Sequence, residues 1–324
     1  MKIVYMGTPE IAASVLKAVL EMQQAGADLQ VTGVFTQPDK PVGRKQVMTP
    51  PPVKVLALEQ GIPVFQPRRI KRPIPVEKLR ALAPDLILVT AYGQILSQEI
   101  LDIPPLGCIN MHASLLPSYR GAAPIQWAIA NGEKVTGVTA MQMDAGMDTG
   151  DILLQKEVEI TPEETEETLY EKLSEAGSEI IRETLEKLLR GEKLPARKQE
   201  ESLATYAPII RKEDGIVDFT RSAASIDCKI RGFHVWPGAS CLMEGKKLTL
   251  IAARPLPDEE GQKPAPGAIF KEYAVGKKPR FLVQCGQGIL EILTLQLQGK
   301  KAMAASDFLR GIRALPDQLT SSEE

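Results

Sequence analysis

Lys2-Ile3-Val4-Tyr5-Met6-Gly7-Thr8-Pro9-Glu10, running on into Ile11-Ala12-Ala13-Ser14-Val15-Leu16-Lys17-Ala18-Val19-Leu20, is the stretch that decides the fold. A continuous apolar run breaks at a glycine, and the apolar spacing then lengthens to one face in about 3.6 residues, as when a buried strand hands over to an amphipathic helix. The spacing predicts a helix from Pro9 through about Met22 and a second strand over Val31 to Thr36. Further out, Asp85 to Ala91 and Gly107 to Met111 read as central strands, with helices at about 53 to 60, 76 to 83 and 123 to 131. This alternation implies an α/β domain with a Rossmann-like, doubly wound, mostly parallel sheet. The turn after the first strand carries one glycine, Gly7, rather than Gly-x-Gly-x-x-Gly, so dinucleotide binding is disfavoured.

A long helix is expected next, announced by Thr161, Pro162 and Glu164 as a capping box and continued by Leu169, Leu173, Ala176, Ile180, Leu185 and Leu188, with Gly191 ending it. The polar, charge-dense run after it marks an interdomain linker over about 191 to 207, dividing a catalytic domain, 1–190, from a second domain, 208–324. Strands are expected there at Ala239 to Met243 and Lys246 to Ala252 around a Glu244-Gly245 turn, then at Ala268 to Tyr273, Arg280 to Cys285 and Ile289 to Gln296. With one helix near 223 to 232, they suggest a smaller OB-like β-barrel.

The chain has 324 residues, 44% hydrophobic and 25% charged, with formal net charge −2. The charge is uneven: residues 1–207 carry 22 Lys+Arg against 27 Asp+Glu, and residues 208–324 carry 17 against 14, so the second part is mildly basic. No apolar run approaches the roughly 18 residues of a membrane span, and Met1 leads straight into a strand-like segment, so a cytoplasmic location without a membrane partner is expected. The four cysteines, Cys108, Cys228, Cys241 and Cys285, lack metal-type spacing and are expected as buried free thiols; no metal is expected, and nothing demands more than a monomer.

One of only two histidines, His112, follows Asn110 at the strand-like period of two, so both side chains face one way. Downstream, Asp148 lies in the Gly-punctuated run Asp144-Ala145-Gly146-Met147-Asp148-Thr149-Gly150-Asp151. A carboxamide can donate to a developing oxyanion, an imidazole with a reference pKa of about 6.5 can move a proton near neutrality, and a carboxylate can hold that ring. This trio suits acyl-type transfer to an amine. There is no Gly-x-Ser-x-Gly elbow, consistent with transfer that needs no covalent enzyme intermediate.

The run Asn110-Met111-His112-Ala113-Ser114-Leu115-Leu116-Pro117-Ser118-Tyr119-Arg120-Gly121-Ala122-Ala123-Pro124-Ile125-Gln126-Trp127, with Gly137-Val138-Thr139 and the 144–151 loop, resembles the formyltransferase family that uses 10-formyltetrahydrofolate. The resemblance extends along essentially the whole chain. It implies that Asn110, His112 and Asp148 form the transfer site, that Ser114, Leu115, Leu116 and Pro117 form a folate-binding turn, and that Tyr92, Gly93, Gln94, Ile95, Leu96 and Asp144 line a pterin pocket. It also implies transfer of a formyl group from 10-formyltetrahydrofolate to the α-amino group of methionyl initiator tRNA. The loop Asp39 to Gln46 would face the acceptor end through Lys40, Arg44 and Lys45, with Arg44 matching the family's key arginine; here Lys40 stands where arginine is frequent and Gln46 follows Lys45. Its flanking prolines favour an extended, projecting loop. A relative acting on glycinamide ribonucleotide or an amino-sugar nucleotide, a donor hydrolase, and an inactive tRNA-binding module remain the alternatives.

Overall fold

The computed structural model describes residues 1–43, 45–258 and 263–321. Its chain contacts define two units: Met1–Pro124, Val135–Glu159 and Tyr170–Ala207 form the first, and Ile125–Lys134, Ile160–Leu169 and Pro208–Glu324 the second.

The first unit begins as the opening residues dictate. Strand β1 (Lys2–Gly7) is buried beyond Lys2, and helix α1 (Glu10–Gln24) buries Ile11, Ala12, Val15, Leu16, Val19 and Leu20. Gly7 is required by close approach: a Cβ there would stand 2.7 Å from the Ala12 Cβ and 3.0 Å from the Thr90 carbonyl oxygen. The chain continues through β2 (Gln30–Phe35), β3 (Lys40–Val42), β4 (Val47–Thr49), α2 (Pro52–Glu59), β5 (Val64–Phe65), α3 (Pro73–Ala81), β6 (Leu86–Thr90), α4 (Gln98–Leu101), β7 (Cys108–His112) and β8 (Arg120–Gly121). After α5 (Pro124–Ala130) come β9 (Val135–Gln142), β10 (Ile152–Glu159), α6 (Glu166–Leu189) and β11 (Tyr206–Ala207).

Seven strands form one sheet in the order β10-β9-β7-β6-β1-β2-β5. The five from β7 to β5 are parallel, and β9 and β10 extend the edge antiparallel. Every residue of β6 and β7 is buried, which explains their unbroken apolar character. Burial pushes the Cys108 thiol up to about 12, so this cysteine is a packing group rather than a nucleophile.

The expected Thr161 cap falls one turn early. Glu164 N donates to Thr161 O at 3.1 Å, closing a separate turn, and α6 starts only at Glu166, where Thr165 Oγ1 accepts from Thr168 N at 3.4 Å. The segment after α6, expected as a linker, is hydrogen-bonded into the first unit: Arg197 bridges Ile152, and β11 pairs in parallel with β8.

The second unit contains α7 (Ala223–Gly232), β12 (Ala239–Met243), β13 (Lys246–Leu256), β14 (Phe281–Gln284), β15 (Ile289–Leu297), β16 (Met303–Ala304) and α8 (Ala305–Gly311). Its antiparallel sheet runs β12-β13-β15-β14, with β16 on β15. The Glu244-Gly245 turn has both residues at positive φ, 49° and 72°, the geometry of a two-residue hairpin. Val217, Phe219, Ile226, Ile230, Phe281, Leu290 and Leu295 are among the residues of its core. The expected strand at Ala268 to Tyr273 is not formed. Only Ala268 and Ile269 make single bridges, and Lys271–Ala274 turns into a 3₁₀ helix, because Tyr273 N bonds back to Phe270 O at 3.2 Å. No helix among the described residues is long and apolar enough to cross a membrane.

Candidate active site

β7 ends at the carboxyl edge of the parallel strands, where open α/β sheets carry their ligands. Its last residues deliver Asn110 and His112, 8% and 6% exposed. Asn110 pairs with Met141 and His112 with Thr139 on β9, so the register of two strands fixes both side chains. The Asn110 carboxamide makes no side-chain hydrogen bond among the described residues, although it is buried.

His112 Nε2 lies 2.9 Å from the Tyr119 carbonyl oxygen. A carbonyl only accepts, so Nε2 carries the proton of that contact and Nδ1 is the nitrogen left facing Asp148. Nδ1 is 3.7 Å from Asp148 Oδ2, a charge contact that is slightly longer than a hydrogen bond. Asp148 Oδ2 also accepts from Gly121 N at 2.9 Å, which keeps the carboxylate turned toward the ring. The loop that carries it is tight: at Gly150 a Cβ would collide with the Gln142 carbonyl. Asp148 itself has φ +55°, a left-handed conformation that Asp tolerates better than most residues.

The turn at 114–117 is fastened from beneath by Thr139, whose hydroxyl donates to Ser114 O at 2.7 Å and accepts from Leu116 N at 3.1 Å. Ser114 Oγ donates to Ser118 O at 2.6 Å and is fully buried, so Ser114 shapes the turn from within. Leu115, Leu116 and Pro117 line a cavity of about 400 Å³ together with Gln155, Arg197 and Gln199.

The 92–96 loop follows β6 and is braced at several points. Tyr92 O accepts from Thr8 Oγ1 at 3.1 Å and Gln37 Nε2 at 3.0 Å, and the Gln94 side chain accepts from Ile70 N at 2.7 Å and donates to Pro67 O at 3.0 Å. Gly93 takes φ +81°. Tyr92 and Leu96 point into the core, whereas Ile95 is 68% exposed. Burial raises the Tyr92 phenol above its ordinary range. Asp144 accepts from Gly146 N at 3.0 Å and Thr149 Oγ1 at 2.7 Å, so its carboxylate organises its own loop.

Lys40 and Lys45 are exposed on a β3–β4 hairpin; the extended, projecting loop expected here carries a pair of short strands, with exposed Val42, Val47 and Met48. Its base is tied down at Asp39, which accepts from Lys54 Nζ at 2.8 Å and Gln66 Nε2 at 2.7 Å. Hydrogen bonds from Gln66 and Lys54 hold the Asp39 carboxyl below its usual range. Arg44 lies outside the described residues. Residues that the sequence reading passed over are Arg120, Gln199 and Glu201, which meet behind Asp148; the single available signal was an arginine in an otherwise apolar and small-residue run.

Residues 1–185 match the family model described as formyl transferase, and residues 209–313 match that of the formyl transferase C-terminal domain. The chain belongs to the formyl transferase family and is an enzyme of formyl transfer. It is 48% identical over 316 residues to the methionyl-tRNA formyltransferase of Geobacter sulfurreducens, covering 98% of this chain and 95% of that one. The methionyl-tRNA formyltransferase of Acidobacterium capsulatum is 49% identical over 319 residues, with 98% of both chains covered. Among solved structures, the phosphoribosylglycinamide formyltransferase of Bacillus halodurans matches 58% of this chain and 95% of its own, at 28% identity and TM-score 0.50. An N-formyltransferase from Helicobacter canadensis, solved with folinic acid and dTDP-3-aminofucose, matches 90% of this chain and 99% of its own at TM-score 0.65 and 19% identity, which shows a shared fold.

Proposed function

We propose that the chain transfers the formyl group of 10-formyltetrahydrofolate to the α-amino group of methionyl initiator tRNA in the cytoplasm, producing N-formylmethionyl-tRNA for translation initiation. The observation that carries this reading is likeness at 48–49% identity to methionyl-tRNA formyltransferases along nearly the whole chain, second unit included. A small-molecule formyltransferase with the first unit alone would leave residues 209–313 without a role.

The donor brings an activated formyl group, so the protein supplies charge stabilisation and proton handling. As the amine nitrogen bonds to the formyl carbon, negative charge gathers on the formyl oxygen, where the unpartnered Asn110 carboxamide donates. The amine must lose a proton, and the nitrogen leaving the formyl carbon must gain one. His112 Nδ1 is the group placed to carry that proton, because Nε2 is already committed to Tyr119 O. Asp148 Oδ2, 3.7 Å from Nδ1, stabilises the charged ring, and such contacts tighten when substrate enters. No covalent enzyme intermediate is needed. The residues suit a folate: the braced 92–96 loop with exposed Ile95 offers an apolar surface for the pterin, and Leu115, Leu116 and Pro117 line a cavity of about 400 Å³.

Acceptor recognition is assigned to the hairpin. Lys40 and Lys45 are exposed and make no ion pair among the described residues, and Arg44 joins them in sequence. Phosphate contacts of this kind position an RNA without reading its sequence. The test is a formylation assay with 10-formyltetrahydrofolate and, separately, charged initiator tRNA, charged elongator tRNA, glycinamide ribonucleotide and an amino-sugar nucleotide. Formylation of the initiator tRNA with strong preference over the others is expected. Transfer only to a small amine, or donor hydrolysis independent of acceptor, contradicts the reading.

A further inference from the structure

Gln199 reaches from the segment after α6 to the loop that carries Asp148. Its Nε2 donates to Asp148 O at 2.8 Å and to Gly150 O at 2.7 Å, while its Oε1 accepts from Arg120 Nε at 3.0 Å. Arg120 is 1% exposed and donates through Nη1 to both carboxylate oxygens of Glu201, at 3.1 and 2.9 Å. A guanidinium only donates, so Arg120 fixes which end of the Gln199 amide faces it and leaves the two N–H groups pointing at the loop carbonyls. Burying a guanidinium to hold a surface segment is costly when an apolar side chain would do. What an apolar side chain would not do is orient an amide.

Asp148 needs that hold. Its left-handed backbone, which Asp tolerates at a modest cost, is held by its neighbours. Gly121 N secures the carboxylate and Gln199 secures the carbonyls on both sides of Thr149, so backbone and side chain are fixed separately. Arg120 and Gly121 are consecutive and form β8, which pairs with β11 two residues beyond the Glu201–Leu203 turn. The whole bracket therefore closes on one short stretch of chain.

We infer that Gln199, oriented by Arg120, is a positioning residue that sets the place of Asp148 against His112 Nδ1. The inference rests on the catalytic reading of Asp148 proposed above. Gln199→Glu is nearly isosteric and keeps the Arg120 contact but presents acceptors to two carbonyls, so it removes the positioning contact while leaving the bracket anchored. With full-length enzyme, charged initiator tRNA and 10-formyltetrahydrofolate, Gln199→Glu is expected to lower kcat roughly 10- to 100-fold, the scale on which small displacements of a catalytic group act. KM for both substrates should stay within about threefold, and Gln199→Met, which keeps length without either hydrogen bond, should behave alike. In an Asp148→Asn background the same changes should add less than about threefold, since the group being positioned is already disabled. Wild-type kcat in both Gln199 variants, or an undiminished effect in the Asp148→Asn background, overturns the inference alone. Normal turnover by Asp148→Asn overturns the catalytic reading together with it.

Discussion

Two acidic sites in this molecule are built in opposite ways. In the second unit, Glu291 on β15 is 8% exposed and saturated: Arg280 donates to it at 2.8 and 2.9 Å, and Arg254 at 3.1 and 2.5 Å. In the first unit, the His112–Asp148 contact stands open at 3.7 Å, beside an Asn110 carboxamide with no side-chain partner among the described residues. The first arrangement holds a sheet together and has nothing left to offer a substrate. The second leaves polar capacity that internal contacts do not use, which is the pattern expected where a ligand completes the network.

Breaking the open side should cost activity and little stability. Asp148→Asn is expected to reduce kcat for formylation roughly a thousandfold, within the range for loss of acid–base support, while melting temperature changes little. Asn110→Ala should lower kcat about a hundredfold, at the low end for an oxyanion donor. Because the amide has no internal partner to abandon, urea unfolding should show no matching loss; a comparable loss of stability would mean Asn110 is structural.

Breaking the saturated side should do the reverse. The Arg280 contact, followed by that of Arg254, pulls the Glu291 carboxyl down to about 2 from an ordinary 4.5. Arg280 is 41% and Arg254 58% exposed, so water screens much of that interaction. Glu291→Gln should therefore destabilise the second unit by about 1–2 kcal/mol in urea titration, less than the 3–5 of a fully buried pair, with kcat unchanged for the folded fraction. The pH dependence follows. A pKa depressed on folding means stability that is present above the unfolded value, about 4.5, and lost as pH falls toward 2. Wild type should lose this increment across that window, and Glu291→Gln should be flatter there.

The sheet was legible because its strands are buried on both faces and say so in unbroken apolar runs such as Leu86–Thr90 and Cys108–His112. Helix α7 came out at residues 223–232 as expected, since Ser222 caps it and accepts from Ser225 N at 3.1 Å. Thr161 misled because a cap looks the same whether it starts a helix or a single turn; Thr165, four residues on, had the same chemistry. Ala268 to Tyr273 misled because its apolar spacing looks like a strand, whereas Ile269 enters the core through a single bridge and the neighbouring apolar residues stay half-buried without a long strand partner. The meeting of Asn110 with His112 could be read from a spacing of two. Asp148 is 36 positions beyond His112; the sequence offered it as a carboxylate in a Gly-punctuated loop, but its arrival beside the ring depends on β9 pairing with β7, a long-range fact that local pattern does not contain. Gln199 was hidden for a different reason: a charged, polar run reads as solvated linker whenever its partner, here the buried Arg120, is far away in sequence.

The central claim is that the slack imidazole–carboxylate pair moves the proton in formyl transfer. Its most direct test is the single-turnover rate of formylation by His112→Ala, with enzyme in excess over charged initiator tRNA and 10-formyltetrahydrofolate saturating. A rate at least about a thousandfold below wild type, with tRNA affinity unchanged, is the predicted result. A rate within a few fold of wild type would contradict it.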